Sequence, residues 1–187
     1  MVPAPEMTFD LLDGGQAAAH TAEVEALQAE VYGGVPGGRA DISAQAPGQF
    51  RAQVRQPGFV LAQARSGGYL IGCAAGMPLR PSTSWWRHLT AALPEDITAE
   101  RPGRTFALVE LMVRASWRRQ GIGRYLHDLI LRGRAEERAT LVVPPAAGPA
   151  QTAFQEWGWH RIARTRGPDP GSPASDVLVI RLSAGTD

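Results

Sequence analysis

Hydrophobic and polar positions alternate along the chain in two periods, which predicts a fold containing both strands and helices. Residues from Phe106 to Val113 are almost all apolar, and Glu110 is the only ionisable side chain among them. A short apolar run of this kind is typical of a buried strand. The apolar residues that follow are spaced as one face of a helix: Ile122, Leu126, Leu129 and Ile130. The pattern therefore predicts a strand that leads directly into an amphipathic helix.

The same criteria predict the remaining elements in the order β-α-α-β-β-β-α-β-α-β-β. Further strands are expected at Met7–Leu12, Phe59–Ala64, Tyr69–Met77, Thr140–Val143, Trp159–Thr165 and Asp176–Leu182. Further helices are expected at Gln16–Val31, Gly48–Arg55 and Ala150–Trp157. Residues 1–6 form a loose start, and 78–103 form an insertion before the fourth strand, with a short helix around Trp85–Leu89. A length of 187 residues fits one domain over 1–187.

The turn between the fourth strand and its helix has the composition of an anion-binding loop. Residues 118–124 read Arg-Arg-Gln-Gly-Ile-Gly-Arg. A helix start exposes unpaired backbone N–H groups and the positive end of the helix dipole. Because Gly121 and Gly123 have no side chain, a phosphate or pyrophosphate can approach those amides closely. The alternative is a tight turn whose arginines only solvate the surface. The spacing matches neither the dinucleotide fingerprint nor the P-loop.

Composition narrows the class of protein. All 19 basic residues are arginine and 18 residues are acidic, a net charge of +1, which argues against a nucleic-acid partner and a membrane-surface role. The chain has no lysine and no asparagine, which indicates a GC-rich bacterial genome. No apolar run is long enough to span a bilayer, so a cytoplasmic location is expected. Cys73, the single cysteine, is interpreted as a small core residue rather than a nucleophile.

The loop with its flanks resembles the GNAT acetyltransferase superfamily, whose pyrophosphate loop reads Q/R-x-x-G-x-G/A. Arg118, Gly121 and Gly123 occupy the first, fourth and sixth positions. The resemblance implies an α/β (α+β) GNAT fold with a single mixed central sheet, splayed between strands 4 and 5 and flanked by helices on both faces. It also implies acetyl-CoA as cosubstrate, no metal, and acetyl transfer to a primary amine. The cofactor-binding residues that it implies are Leu111, Met112, Val113, Arg118, Arg119, Gln120, Gly121, Ile122, Gly123 and Arg124.

Glu110 is the candidate catalytic residue, because an amine must lose a proton before it attacks. Its alternation with Leu108 and Met112 predicts that it shares their buried or cleft-facing surface. The alternative role is a structural salt bridge to an arginine. In many family members a tyrosine protonates the leaving thiolate, but Phe154 stands at that position here. Tyr32 is left as either a substitute acid or a pocket wall.

The acceptor site that the family implies involves Tyr32, Trp85, Trp86, His88 and the loop around Asp169. Adjacent tryptophans outside a strand can form an aromatic wall for a cation or a ring. The alternative is that one packs on the core while the other covers the insertion. The expected acceptor is a small-molecule or peptide amine, and a homodimer is left open. The competing function is a non-catalytic acyl-CoA-binding domain that acts as a sensor or interaction partner.

Overall fold

The computed structural model describes residues 6–33, 48–144, 147–166 and 174–182. In that part of the chain, seven strands form one sheet in the order β1-β2-β3-β4-β5-β7-β6. The strands are β1 Met7–Asp13, β2 Val60–Ser66, β3 Tyr69–Pro78, β4 Thr105–Val113, β5 Arg138–Val143, β6 His160–Thr165 and β7 Ser175–Arg181. The helices are α1 Gly14–Ala17, α2 Thr21–Tyr32, α3 Gln49–Val54, α4 Glu95–Thr98, α5 Ile122–Leu131 and α6 Gly148–Glu156. All predicted strands are confirmed, within two or three residues at their ends.

The first three strands are antiparallel, and a two-residue turn joins β2 to β3. Gly67 and Gly68 occupy that turn with φ of +56° and +82°. Two consecutive positive φ values are the signature of the hairpin turn that matches strand twist, and glycine adopts them without steric cost. The predicted hairpin is therefore confirmed.

The sheet is mixed because β4 and β5 run parallel while β5, β7 and β6 pair antiparallel. The parallel register covers only three residue pairs, from Thr105–Arg138 to Ala107–Thr140. Such a short register agrees with a sheet that is splayed between strands 4 and 5, as expected.

Two helix predictions need correction. The expected single helix Gln16–Val31 begins earlier and is divided by a 3-10 turn at Ala18–His20. It begins at residue 14 because Asp13 forms a capping box, in which its carboxylate accepts the Gln16 N–H at 2.9 Å. The expected helix around Trp85–Leu89 is a hydrogen-bonded turn, because Leu89 instead forms a bridge with Thr165 at the edge of β6.

Two compact units divide the chain, and β4 contributes residues to each. Of the described residues, unit 1 comprises 6–33, 48–77 and 108–132, and unit 2 comprises 78–107, 133–144, 147–166 and 174–182. In unit 1, Phe50 and Phe59 are 1% and 2% exposed and pack edge-to-face with ring centroids 5.8 Å apart. Burial of each such side chain stabilises the fold by roughly 1.5–3 kcal/mol. The single-domain assignment stays a prediction.

The core of unit 2 contains an aromatic group at the end of α6. Phe154 is buried and packs edge-to-face on Trp157 and Trp159, with centroids 5.5 and 5.9 Å away. Across the described residues of both units, no helix is long and apolar enough to cross a membrane.

Candidate anion-binding loop and buried glutamate

The loop between β4 and α5 has an unusual backbone. After a 3-10 turn at Ala115–Trp117, Arg119 adopts a φ of +61° and Gly121 a φ of +81°. A non-glycine residue in the left-handed region costs of order 1–3 kcal/mol, and such strain clusters at ligand sites. Arg118 holds the loop against β4, because its Nε donates to the Val113 carbonyl at 2.9 Å. The alternation of backbone conformation turns successive amides toward one concave side, as in anion-binding nests.

The amides of this loop are available to a ligand. In the part of the chain that the structure describes, the main-chain N–H groups of residues 119–123 donate no hydrogen bond. The first bond of α5 runs from the Tyr125 N–H to the Gly121 carbonyl at 2.9 Å. A Cβ built at Gly121 meets nothing within 4 Å, and one built at Gly123 meets only Val113 Cγ2, at 3.8 Å. Open space therefore lies beside these two glycines, whose unpaired N–H groups stand at the positive end of a ten-residue helix.

Four polar side chains of this segment are exposed: Arg118, Arg119, Gln120 and Arg124. The three arginines supply positive charge for an anion. Arg124 is oriented along α5, because its Nε donates to Asp128 Oδ2 at 2.8 Å. Guanidinium groups bind phosphate oxygens with charge-assisted hydrogen bonds. The residues present thus fit a pyrophosphate group.

At the end of β4, successive main-chain groups point alternately toward β3 and away from it. The Arg114 N–H donates to the Ile71 carbonyl of β3 at 2.9 Å, and a Cβ at Gly72 would lie 2.9 Å from the Met112 oxygen. Because successive peptide groups of a strand alternate in direction, the amides of Leu111 and Val113 point away from β3. These two amides, rather than that of Met112, are the ones oriented to pair with an added ligand.

Glu110 is held inside unit 1 by two hydrogen-bond donors from α2. Glu110 is 6% exposed, and Leu108 and Met112 on the same face of β4 are also buried, as predicted. Oε2 accepts from Gln28 Nε2 at 2.8 Å, and Oε1 accepts from the Tyr32 hydroxyl at 2.5 Å. Gln28 and Tyr32 lie one helical turn apart, so both donors sit on one face of α2. The structure therefore brings together two of the predicted site residues, Glu110 and Tyr32.

Gln28, which donates to Glu110, was not among the residues predicted for the site. It lies four residues after Val24 and directly after Leu27, so helical spacing already places this amide on the buried face. The signal that would have found it is a polar side chain on the apolar stripe of a helix.

Cys73 lies in the same core and is not a nucleophile. The side chain is fully buried, and burial, followed by the negative charge of Glu110, raises the pKa of its thiol well above the ordinary value. The thiol stays protonated at neutral pH, so the interpretation of Cys73 as a small core residue is confirmed.

The three expected acceptor residues of the insertion in unit 2 differ in exposure and in hydrogen bonding. Trp86 is half-buried; its Nε1 donates to Glu100 Oε1 at 3.0 Å, and the Arg138 guanidinium lies 5.3 Å from its ring centroid. Trp85 is half-buried as well, and its Nε1 has no partner among the described residues. The His88 residue is exposed, while its carbonyl accepts from Thr165 Oγ1 at 3.0 Å. The loop around Asp169 lies outside the described residues, as do residues 1–5 of the expected loose start.

Comparison with solved structures places this fold among acetyltransferases. The ribosomal-protein-S18-alanine N-acetyltransferase of Escherichia coli is 15% identical with a TM-score of 0.61, and the match covers 97% of each chain. The NAA60 protein of Arabidopsis thaliana, solved with a bisubstrate analogue, is 14% identical with a TM-score of 0.63, over 95% of this chain and all of that one.

A third similar structure contains coenzyme A. The PaiA N-acetyltransferase of Thermoplasma acidophilum, in complex with coenzyme A, is 10% identical with a TM-score of 0.59, over 94% of this chain and 99% of that one. At these identities the likeness shows the shared fold. No match is found among curated proteins.

The model of the acetyltransferase (GNAT) family matches residues 24–159, which include most of α2, Glu110 and the whole loop between β4 and α5. That range exceeds half of the chain, and the mixed sheet with its flanking helices has the family's architecture. The chain therefore belongs to the GNAT acetyltransferase family.

Proposed function

We propose that this protein transfers the acetyl group of acetyl-CoA to a primary amine. The observation that supports this most is the row of unpaired amides at residues 119–123, with open space in front of Gly121. These amides and the arginines beside them bind the pyrophosphate of the cosubstrate. The N–H groups of Leu111 and Val113 hold the pantetheine arm as an added strand would, and they polarise the thioester carbonyl.

Glu110 acts as the general base in this proposal. An alkylammonium with a pKa near ~10 is mostly protonated at neutral pH, so a proton must be removed before the nitrogen attacks. The carboxylate is the ionisable group that β4 places inside unit 1, and its two donors fix both of its oxygens. Such positioning is what proton transfer requires of a base.

The acceptor is proposed to be a small-molecule or peptide amine. Within unit 2, His88 of the insertion is exposed and Trp85 offers a half-buried indole, and both are proposed to contact the acceptor. Trp86 supplies an aromatic ring, although its indole N–H is already bound to Glu100. The name of the Escherichia coli protein refers to an alanine of a ribosomal protein, which makes peptide termini worth including in any panel.

A non-catalytic acyl-CoA-binding role is the second candidate. It is favoured by Phe154, which stands where many family members have an acidic tyrosine and which packs against tryptophans in the core. A phenyl ring has no proton to give to a leaving thiolate.

One experiment separates the two roles. The protein is incubated with acetyl-CoA and a panel of small amines, aminoglycosides and short peptides, and free thiol is followed over time. An enzyme releases coenzyme A only when an amine is present, whereas a binding domain shows saturable acetyl-CoA binding by calorimetry and no thiol release. The absence of acetyl-CoA binding would contradict both roles.

A further inference from the structure

The base proposed above is almost closed off from the surface, which raises the question of how a proton reaches it. Glu110 is 6% exposed, whereas Tyr32, at the end of α2, is only half-buried. The Tyr32 hydroxyl donates directly to the carboxylate. The half-buried phenol therefore offers a direct path for a proton between the surface and the buried glutamate.

We propose that Tyr32 is a catalytic residue that carries the acceptor's proton to Glu110, and not merely a wall of the pocket. This inference rests on the proposed acetyltransferase function and assigns the path by which its base operates. The Tyr32 oxygen lies 2.5 Å from Glu110 Oε1, at the short end of the range for a hydroxyl bonded to a carboxylate. A proton crosses so short a hydrogen bond without any rearrangement of heavy atoms.

Gln28 is the positioning residue of this relay. Its Nε2 binds Oε2 at 2.8 Å and so fixes the rotation of the carboxyl group, which directs Oε1 at Tyr32. Both partners belong to α2, twelve residues of continuous helix, so the distance between them is set by a rigid element.

The relay accounts for the protons that move as bonds form and break in the reaction. The acceptor nitrogen forms a bond with the acetyl carbon, and the carbon–sulfur bond breaks with its electron pair on sulfur. The acceptor ammonium loses two protons before the amide is complete. As it loses the first to the Tyr32 oxygen, the phenol proton moves to Glu110 Oε1, so tyrosine stays neutral and the glutamate becomes neutral. The second proton leaves the nitrogen for solvent after the carbon–nitrogen bond has formed. The same two steps in reverse deliver the proton to the thiolate of coenzyme A. The relay thereby also supplies the acid that Phe154 cannot be.

Tyr32→Phe tests the relay directly, because it keeps the ring and removes the hydroxyl. We expect kcat to fall by roughly 10²–10⁴, the range for loss of a positioned acid–base group, with acetyl-CoA affinity unchanged. In a Glu110→Gln background the same substitution should lower kcat by less than about twofold, since the two residues act as a unit. Tyr69→Phe, at an exposed tyrosine of the β2–β3 hairpin, is the matched control and should behave as wild type.

Replacement of Tyr32 by 3-fluorotyrosine covers the case in which the phenylalanine variant fails to fold. It keeps the hydroxyl and makes it more acidic, so the pH–rate profile should shift to lower pH, while the same replacement at Tyr69 should leave the profile unchanged.

Three results would overturn the relay while leaving the acetyltransferase function intact: near-normal kcat in Tyr32→Phe, a change confined to the KM for the amine, or fully multiplicative effects of Tyr32→Phe and Glu110→Gln. A wild-type protein that binds acetyl-CoA but acetylates no amine would remove the proposed reaction and the relay together.

Discussion

Glu110→Gln separates a catalytic glutamate from a structural one. The substitution keeps the shape of the side chain and removes its ability to accept a proton. An amide oxygen can still accept from Gln28, and the new amide N–H₂ can donate to the Tyr32 oxygen, because a hydroxyl accepts as well as donates. All the groups of this cluster therefore keep partners.

The stability cost of Glu110→Gln follows from this geometry. A charge-assisted hydrogen bond becomes a neutral one, which changes the free energy of unfolding by about 1 kcal/mol, offset in part because no charge is buried. Glu110→Ala would instead leave Gln28 and Tyr32 without their carboxylate, at about 1–3 kcal/mol for each buried group left unpaired. The glutamine variant is thus the one in which activity and stability can be read separately.

Turnover of Glu110→Gln should fall by roughly 10²–10⁴ if Glu110 is the base. The assay follows thiol release against pH for wild type and variant, with thermal unfolding measured in parallel. The difference in turnover between wild type and variant should be widest near neutral pH and should narrow toward pH ~10, where about half of the amine is already deprotonated. Near-normal turnover with an unshifted pH profile would show that Glu110 is not the general base. A large loss of stability with normal turnover would show that its role is structural.

Three further predictions concern other parts of the molecule. Gly72→Ala should lower the free energy of unfolding by about 1–3 kcal/mol in chemical denaturation, because its Cβ would lie 2.9 Å from the Met112 carbonyl; an unchanged midpoint would contradict this. The hydrogen bond from Arg65 is the largest cause that lowers the pKa of Glu23 to about 2, so the stability this pair adds is present above pH ~4.5 and lost as pH falls toward 2. Glu23→Gln should therefore melt at a lower temperature than wild type at pH 7, by a modest amount because the Glu23 side chain is 47% exposed. At pH 2 the two melting temperatures should be nearly the same. His88→Ala should raise the KM for the acceptor and leave acetyl-CoA affinity and melting temperature unchanged, whereas lower stability with unchanged kinetics would assign it to packing.

Much of the fold was predictable because its elements have strong local signals. The run Phe106–Val113, the helix face that follows it and the Gly67-Gly68 turn each carry a periodicity or a backbone requirement that depends on neighbouring residues alone. The anion-binding loop belongs to this class, since its glycines and the start of α5 are adjacent in sequence.

The predictions that needed correction depend on distant residues. The turn at Trp85–Leu89 follows from a bridge to Thr165, 76 positions along the chain from Leu89, which no local pattern reveals. The cluster around Glu110 could be predicted only in part, because its members are also distant in sequence. The alternation of apolar residues predicted the face of β4 on which Glu110 lies. Its partners come from α2, and Tyr32 is 78 positions away from Glu110 in the sequence, a distance over which periodicity carries no information.

Binding of acetyl-CoA to Gly123→Val is the most direct test of the central claim that the loop amides hold the pyrophosphate. A Cβ at this position meets only Val113 Cγ2, at 3.8 Å, so the variant should fold. We expect the larger side chain to hinder the close approach of a pyrophosphate to the neighbouring amides. Ala26→Val, which places the same side chain on an exposed position of α2, is the control for the cost of valine in a helix. By titration calorimetry, we expect wild type and Ala26→Val to bind acetyl-CoA with equal affinity and a folded Gly123→Val to bind at least tenfold more weakly, a loss of about 1.4 kcal/mol or more. Equal affinity in all three proteins would contradict the account.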